Sequence, residues 1–550
     1  MTLRPRLALF GCALGAALLL SPPPLAAQAE RSLTPAPAEE GKAPEKGRIA
    51  PEEKPKEEKP SVTHHEIRID GRPLRYTATA GYMAMKDEAG KHKANVFYVA
   101  YAREGGSTRR PITYTFNGGP GSSSVWLHMG AVGPRRVVMA DDGQPLPPPY
   151  RLVDNEASWL SFTDLVFIDP VTTGYSRPAP GEKPEQFHGV EEDVQWVGDF
   201  IRLWTTRNSR WASPKFLAGE SYGTTRAAGL SGYLQERHGM YLNGIILISS
   251  ILNFQTADFN VGNDLPFVTF LPTYTTTAWY YKRLAPELLS NFQKTVDEAR
   301  QFASTEYAQA LMKGARLPEA ERKATVQKMA RLTGLSPAFL EACELRVTLP
   351  RFTKELLRDQ HRTVGRLDSR FQGIDRDSGG ERSDYDPSMA AIRGPYGATV
   401  NDYLRTELKY ENDLPYELLT GRVRPWNYGN AQNRYVNVAE TLRDAMSQNQ
   451  ALKVFVAAGY YDFATPFFAA EYTIDHLGLD PALRKNVTLQ HYEAGHMMYI
   501  HKASLVKLTA DVAAFYGTAG GESRAASDTI RATPPARTAT PRKSLERSSS

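Results

Sequence analysis

"KFLAGESYGTTRAAGL", residues 215–230, is the stretch on which the reading of this chain turns. Lys215 to Ala218 have strand character and run into Gly219-Glu220-Ser221-Tyr222-Gly223. Thr224 to Arg237 then carry Ala227, Leu230 and Leu234 at helical spacing. G-x-S-x-G between a strand and a helix is the pattern of a sharp turn that lifts a serine off the strand end. Five residues can coincide by chance, so the flanking strand and helix are what make Ser221 a candidate nucleophile. The glycines on either side permit strained backbone angles and close packing at such a turn.

A serine hydroxyl is a weak nucleophile. It needs a base to take its proton and an acid to orient that base. After a turn of this kind the acid and then the base are expected at the ends of later strands. Asp462 follows "KVFVAAGYY" (453–461), and His496 stands in the turn after "VTLQHYEAG" (487–495). His491, at the end of that last strand, is the next candidate for the base. Glu471 and Asp475 fall on a helical stretch. An oxyanion hole further requires two N–H groups aimed where negative charge develops. Tyr222, after the serine, supplies one. The glycine loop in "ITYTFNGGPGSSS" (112–124), directly after an early strand, supplies the other.

Around these residues, nearly continuous apolar runs recur at 112–116, 165–169, 215–219, 244–249, 453–458 and 487–490. Such runs suit strands covered on both faces. Helical stretches alternate with several of them, as in "EEDVQWVGDFIRLW", where Val194, Val197 and Ile201 recur at helical spacing. The expectation is an α/β fold with a mostly parallel central sheet flanked by helices. "EIRIDGRPLRY", with its Asp70-Gly71 turn, and "NVFYVAYA" predict an antiparallel opening. From about residue 255 to 425 the alternation lapses into charged helical stretches, read as a mainly helical insertion between core segments 61–254 and 426–518.

The net charge of +5 over 550 residues is small and scattered, which argues against nucleic acid as a partner. Arg4 and Arg6, the apolar run Leu7 to Leu20 and Ala27-Gln28-Ala29 predict a secretory signal peptide over 1–29. That run is too short to span a bilayer, so no stable membrane insertion is expected. Cys12 lies inside the run rather than after it, which argues against lipid attachment. Cleavage would leave Cys343 alone, without an internal disulfide. The Pro/Glu/Lys-rich stretch 30–60 and the tail 519–550 read as disordered. Export to a periplasm or to the medium is expected, and the leader has a bacterial composition. No cofactor and no metal are expected, and the oligomeric state is left open.

Together these motifs closely resemble those of the serine carboxypeptidases (peptidase family S10), whose fold is the α/β-hydrolase fold with a helical cap. "NGGPGSSS" (117–124) is similar to the family's glycine loop and "GESYG" (219–223) to its elbow. "FIDPVTTGYS" (167–176), between those two, and "AGYYDFATP" (458–466) and "AGHMM" (494–498), after them, complete five motifs in the family's order. The resemblance implies Ser221 as nucleophile, His496 as base and Asp462 as its orienter, with an oxyanion hole at Gly119 and Tyr222. It also implies that Asn117, Gly118 and a protonated Glu220 bind the C-terminal carboxylate of a peptide or protein substrate. Family members usually pair that glutamate with a second one shortly before a Gly-Pro. Aligned on Gly133-Pro134, the position is Ala131 here. His128, one turn earlier, is either a substitute or a core-facing side chain. Three functions follow: a secreted carboxypeptidase, an esterase or acyltransferase on the same triad, and an inactive binding module.

Overall fold

The first strand, Ser61–Ile69 (β1), turns back at Asp70-Gly71, both at positive φ, into Arg72–Lys86 (β2). This is the two-residue hairpin that an Asp-Gly pair encodes. β2 pairs antiparallel with His92–Arg103 (β3), and β3 with Asp164–Ile168 (β5). From there the sheet is parallel. β5 lies beside Ile112–Phe116 (β4), and a two-residue strand, Arg177–Pro178 (β6), adds to β3. Lys215–Ser221 (β7), Gly244–Ser250 (β8), Lys453–Gly459 (β9) and Val487–Tyr492 (β10) complete it. The order β1-β2-β3-β5-β4-β7-β8-β9-β10 makes ten strands with β6. The crossed order of β4 and β5 puts the end of β7 at the middle of the sheet. This computed structural model describes residues 59–520, all within one compact unit. The described helix Lys502–Ala519 runs through Ala519, one residue into the stretch 519–550 read from the sequence as a tail. The leader, most of the Pro/Glu/Lys-rich stretch and residues 521–550 lie outside the described residues.

Why the central strands read as unbroken apolar runs is visible in their two faces. Leu217, Ile245, Leu247, Val454 and Val456 pack against helices Val190–Arg207 (α1), Tyr222–His238 (α2) and Ala439–Gln448. The alternate residues Phe216, Ala218, Ile246, Ile248 and Phe455 pack on the other face against Leu508, Val512 and Phe515 of helix Lys502–Ala519. Each fully buried Leu, Ile, Val or Phe contributes about 1.5–3 kcal/mol, so both layers are needed to fix the sheet.

Between Ser250 and Lys453 no strand of this sheet occurs among the described residues. The chain there forms helices including Leu265–Tyr280, Phe292–Phe302, Glu319–Thr333 and Pro387–Thr406, with a small hairpin at Arg362–Val364 and Gln372–Ile374. Several of these helices share their own apolar cluster, in which Phe270, Tyr274, Phe302 and Phe352 meet Phe463 of the loop after β9.

Candidate active site

Ser221 ends β7 and precedes α2 with φ 60° and ψ −131°. This is a region that non-glycine residues occupy only when their surroundings hold them there, at a cost of about 1–3 kcal/mol. The strain falls on the serine, and the glycines serve close approach. A Cβ on Gly219 would stand 2.2 Å from the Gly223 carbonyl oxygen. Gly118 has the same task from the loop after β4, since a Cβ there would lie 2.4 Å from the Tyr222 nitrogen. A larger residue at Gly118 would push the loop and the turn apart, and one at Gly219 would open the turn itself. Neither the Gly119 nor the Tyr222 N–H is used by a turn or loop hydrogen bond, and Tyr222 heads α2, where amides have no partner within the helix.

Asp462, just past β9, is fully buried. Its Oδ1 accepts the Ala464 and Thr465 N–H groups, at 2.7 and 3.0 Å. Its Oδ2 accepts the Thr465 hydroxyl at 2.7 Å and faces His496 Nδ1 at 2.8 Å. Burial pulls the His496 imidazole down, but the charge and hydrogen bond of Asp462 outweigh it and leave the affinity for a proton raised; Glu220 adds to the rise. The His496 backbone is clamped as well. Its N–H donates to Leu367 O at 2.6 Å, its carbonyl accepts from Ser249 Oγ at 2.6 Å, and the preceding Gly495 N–H donates to Asp368 Oδ2 at 2.9 Å.

Ser221, His496, Glu220, Asn117, Gly118 and Gly119 line one cavity of about 440 Å³, a size ordinary for a ligand pocket. Asn117 Nδ2 donates to Glu220 Oε1 at 3.1 Å, while its Oδ1 accepts the Leu127 N–H at 3.0 Å. Burial pushes the Glu220 carboxyl up to about 7, against the opposing pull of His496. The second oxygen, Oε2, is buried without a hydrogen-bond partner, and so is the Tyr499 hydroxyl. The two groups perturb each other's ionisation yet stop short of hydrogen-bond geometry.

Ala131 is buried and cannot supply a carboxyl. His128 does not take its place. It stacks on Phe167 at 4.2 Å, bonds the Tyr101 hydroxyl at 2.7 Å, and burial drives its pKa down to about 3. The group beside Glu220 is Tyr499, three residues past His496 in a turn without a motif, and the sequence reading missed it. His491 lies apart from the cavity, paired with Glu471 at 2.6 Å and stacked on Tyr460. Arg226 was also missed. From α2 it grips Asp193 of α1 with two bonds, 2.7 and 3.1 Å, and donates to the Asn117 carbonyl at 2.6 Å. Arg226 thereby ties the glycine loop to both helices.

A mostly parallel sheet in this order, with a strained serine at the head of the helix after β7, defines an α/β-hydrolase fold. A family model described as serine carboxypeptidase matches residues 69–509, and the chain belongs to that family. Among curated relatives it is 30% identical over 159 residues to a pheromone-processing carboxypeptidase KEX1 of Yarrowia lipolytica, covering 28% of this chain and 24% of that one. It is 27% identical over 202 residues to serine carboxypeptidase-like 45 of Arabidopsis thaliana, covering 35% and 40%. The chain thus spans well under half the length of these relatives. A solved structure of KEX1(delta)p, a prohormone-processing carboxypeptidase from Saccharomyces cerevisiae, superposes with TM-score 0.49 and 14% identity over 80% of this chain and 91% of the other.

Proposed function

We propose that the chain is an exported bacterial serine carboxypeptidase, with Ser221 as nucleophile, His496 as general base and Asp462 as its orienter. The observation that carries this reading is the meeting, in one cavity, of a strained serine, an Asp-backed histidine and a buried glutamic acid with one unpartnered oxygen. Ser221 Oγ attacks the scissile carbonyl carbon while His496 Nε2 takes its proton. The N–H groups of Gly119 and Tyr222 receive the oxyanion. Collapse breaks the C–N bond, and His496 passes the proton to the amine of the departing C-terminal residue. Water then attacks the acyl carbon, giving a proton to His496, which returns it to Ser221 as the acid leaves.

Recognition of the substrate carboxylate falls to the Gly118 N–H, the second N–H of Asn117 Nδ2 and a protonated Glu220 Oε2. A carboxylate ion at Glu220 would repel the substrate, whereas the acid donates to it. The segment 255–425 serves as the cap over the site. Residues 1–29 serve as the export signal, to periplasm or medium.

A fluorophosphonate is expected to label the chain once, on the peptide containing Ser221, and to stop its activity. Peptides with a free C-terminus should be shortened by one residue at a time and their C-terminal amides far more slowly. Equal rates on both would argue against carboxypeptidase action. Turnover of esters with no residue released from any peptide would replace this reading with that of an esterase or acyltransferase.

The pH profile follows from the cavity pair. Activity needs Glu220 protonated and His496 neutral, so kcat/KM on free peptides should fall as pH rises through about 7. On the acid side it should fall as His496 takes a proton. The two groups titrate as a unit, because each depends on the charge of the other. Glu220→Gln keeps a donor at every pH, so its alkaline limb should move above that of the native chain. An unmoved limb would assign the ionisation to another group.

A further inference from the structure

We propose that this cavity selects peptides whose terminal dipeptide carries an acidic side chain, recognised by Arg366 and Arg424. The inference rests on the carboxypeptidase reading and names its substrate class. The two arginines line the cavity from separate segments of the chain. Arg366 directly precedes Leu367, whose carbonyl holds the His496 N–H, so it stands beside the base. Arg424 ends a segment seated on the glycine loop, where the Thr420 N–H donates to Gly121 O at 2.9 Å and the Ser123 N–H to Leu418 O at 3.1 Å. A peptide held at Ser221 therefore lies in a cavity to which both arginines contribute.

Neither guanidinium has a carboxylate partner among the described residues. The carboxylates nearest in the chain are engaged elsewhere. Asp386 accepts the Arg366 backbone N–H at 3.0 Å and caps helix Pro387–Thr406 through Ser388. Asp368 holds Arg370 at 2.6 Å and the Gly495 N–H. Glu417 pairs with Arg422 at 3.1 Å. The other ionisable groups lining the cavity are His496 and Glu220, and Glu220 is in its acid form when substrate binds. The cavity therefore presents two positive charges without an internal counter-charge. An aspartate or glutamate side chain gains from both, while a lysine or arginine is repelled. Both arginines are exposed at the mouth, so each contribution is that of a surface charge pair, additive and sensitive to salt.

The experiment compares kcat/KM for N-blocked dipeptides matched in shape, Glu against Gln and Lys against Met, at each of the two residues flanking the scissile bond. At low salt the Glu:Gln ratio should reach about tenfold at one position and shrink at high salt. In the double variant Arg366→Glu, Arg424→Glu the ratio should invert and lysine should become the preferred residue. A ratio near one at both positions in the native chain, or an unchanged ratio in the double variant, overturns the proposal. If a chain that still reacts with fluorophosphonate turns over no dipeptide at all, the carboxypeptidase reading fails, and this inference fails with it.

Discussion

Asp462→Asn is expected to lower kcat by about 10⁴ while the chain stays folded. The reason lies in what each oxygen of Asp462 accepts. Oδ1 takes two backbone N–H groups and Oδ2 takes a hydroxyl and the imidazole. An asparagine keeps its oxygen toward the two amides, because turning it would set N–H against N–H in a buried site. Its NH₂ group then faces His496 Nδ1, which can only accept from it. The imidazole is forced into the tautomer with its proton on Nε2, the nitrogen that has to receive the Ser221 proton. Single-turnover kinetics and a melting curve test this together. A native-like melt with near-native turnover would remove Asp462 from the machinery.

Arg226→Met is expected to cost about 3–5 kcal/mol of stability, the range for leaving one member of a buried ion pair uncompensated. Arg226 and Asp193 are both almost wholly buried. Burial already pushes Asp193 up, and Arg226 is what pulls it back. Without the arginine, the folded-state pKa of Asp193 rises further above its unfolded value. A raised folded pKa gives stability present at acid pH and lost as pH climbs, so the variant's deficit should be smallest in acid and grow toward neutrality. Denaturant midpoints across pH read this. Adding Asp193→Leu should restore much of the stability, since an apolar pair of similar volume often replaces a buried ion pair without loss. It should not restore kcat/KM, because the Asn117 carbonyl still lacks its donor. Full recovery of activity in the double variant would reduce Arg226 to a packing role.

Those two residues also mark where the sequence stops being legible. The central strands were readable because both of their faces are buried, which leaves runs such as "GIILIS" without a polar interruption. The positions of Ser221, Asp462 and His496 were readable because each ends or follows a strand of the central sheet with a glycine within three residues. Arg226 and Asp193 were not. On a helical wheel they resemble ordinary surface charges, and their burial depends on two helices meeting. The helix Leu265–Tyr280 was not assigned either, because a threonine run with Pro272 has poor helix propensity. Tertiary burial overrides that propensity, and the hydroxyls turn back onto their own helix, Thr275 to Leu271 O and Thr277 to Thr273 O. Tyr499 escaped for a third reason. Its position beside Glu220 is set by how the chain folds after His496, and a single tyrosine in a turn carries no pattern.

The clamp on His496 has a consequence for anyone building chimaeras. Residues 255–425 look exchangeable, since much of the stretch packs into its own apolar cluster. Yet Leu367 and Asp368, inside it, hold the backbone on which the histidine rides. A graft that brought in a foreign stretch would disarm the serine without touching it, unless the few residues around 366–370 travelled with the host.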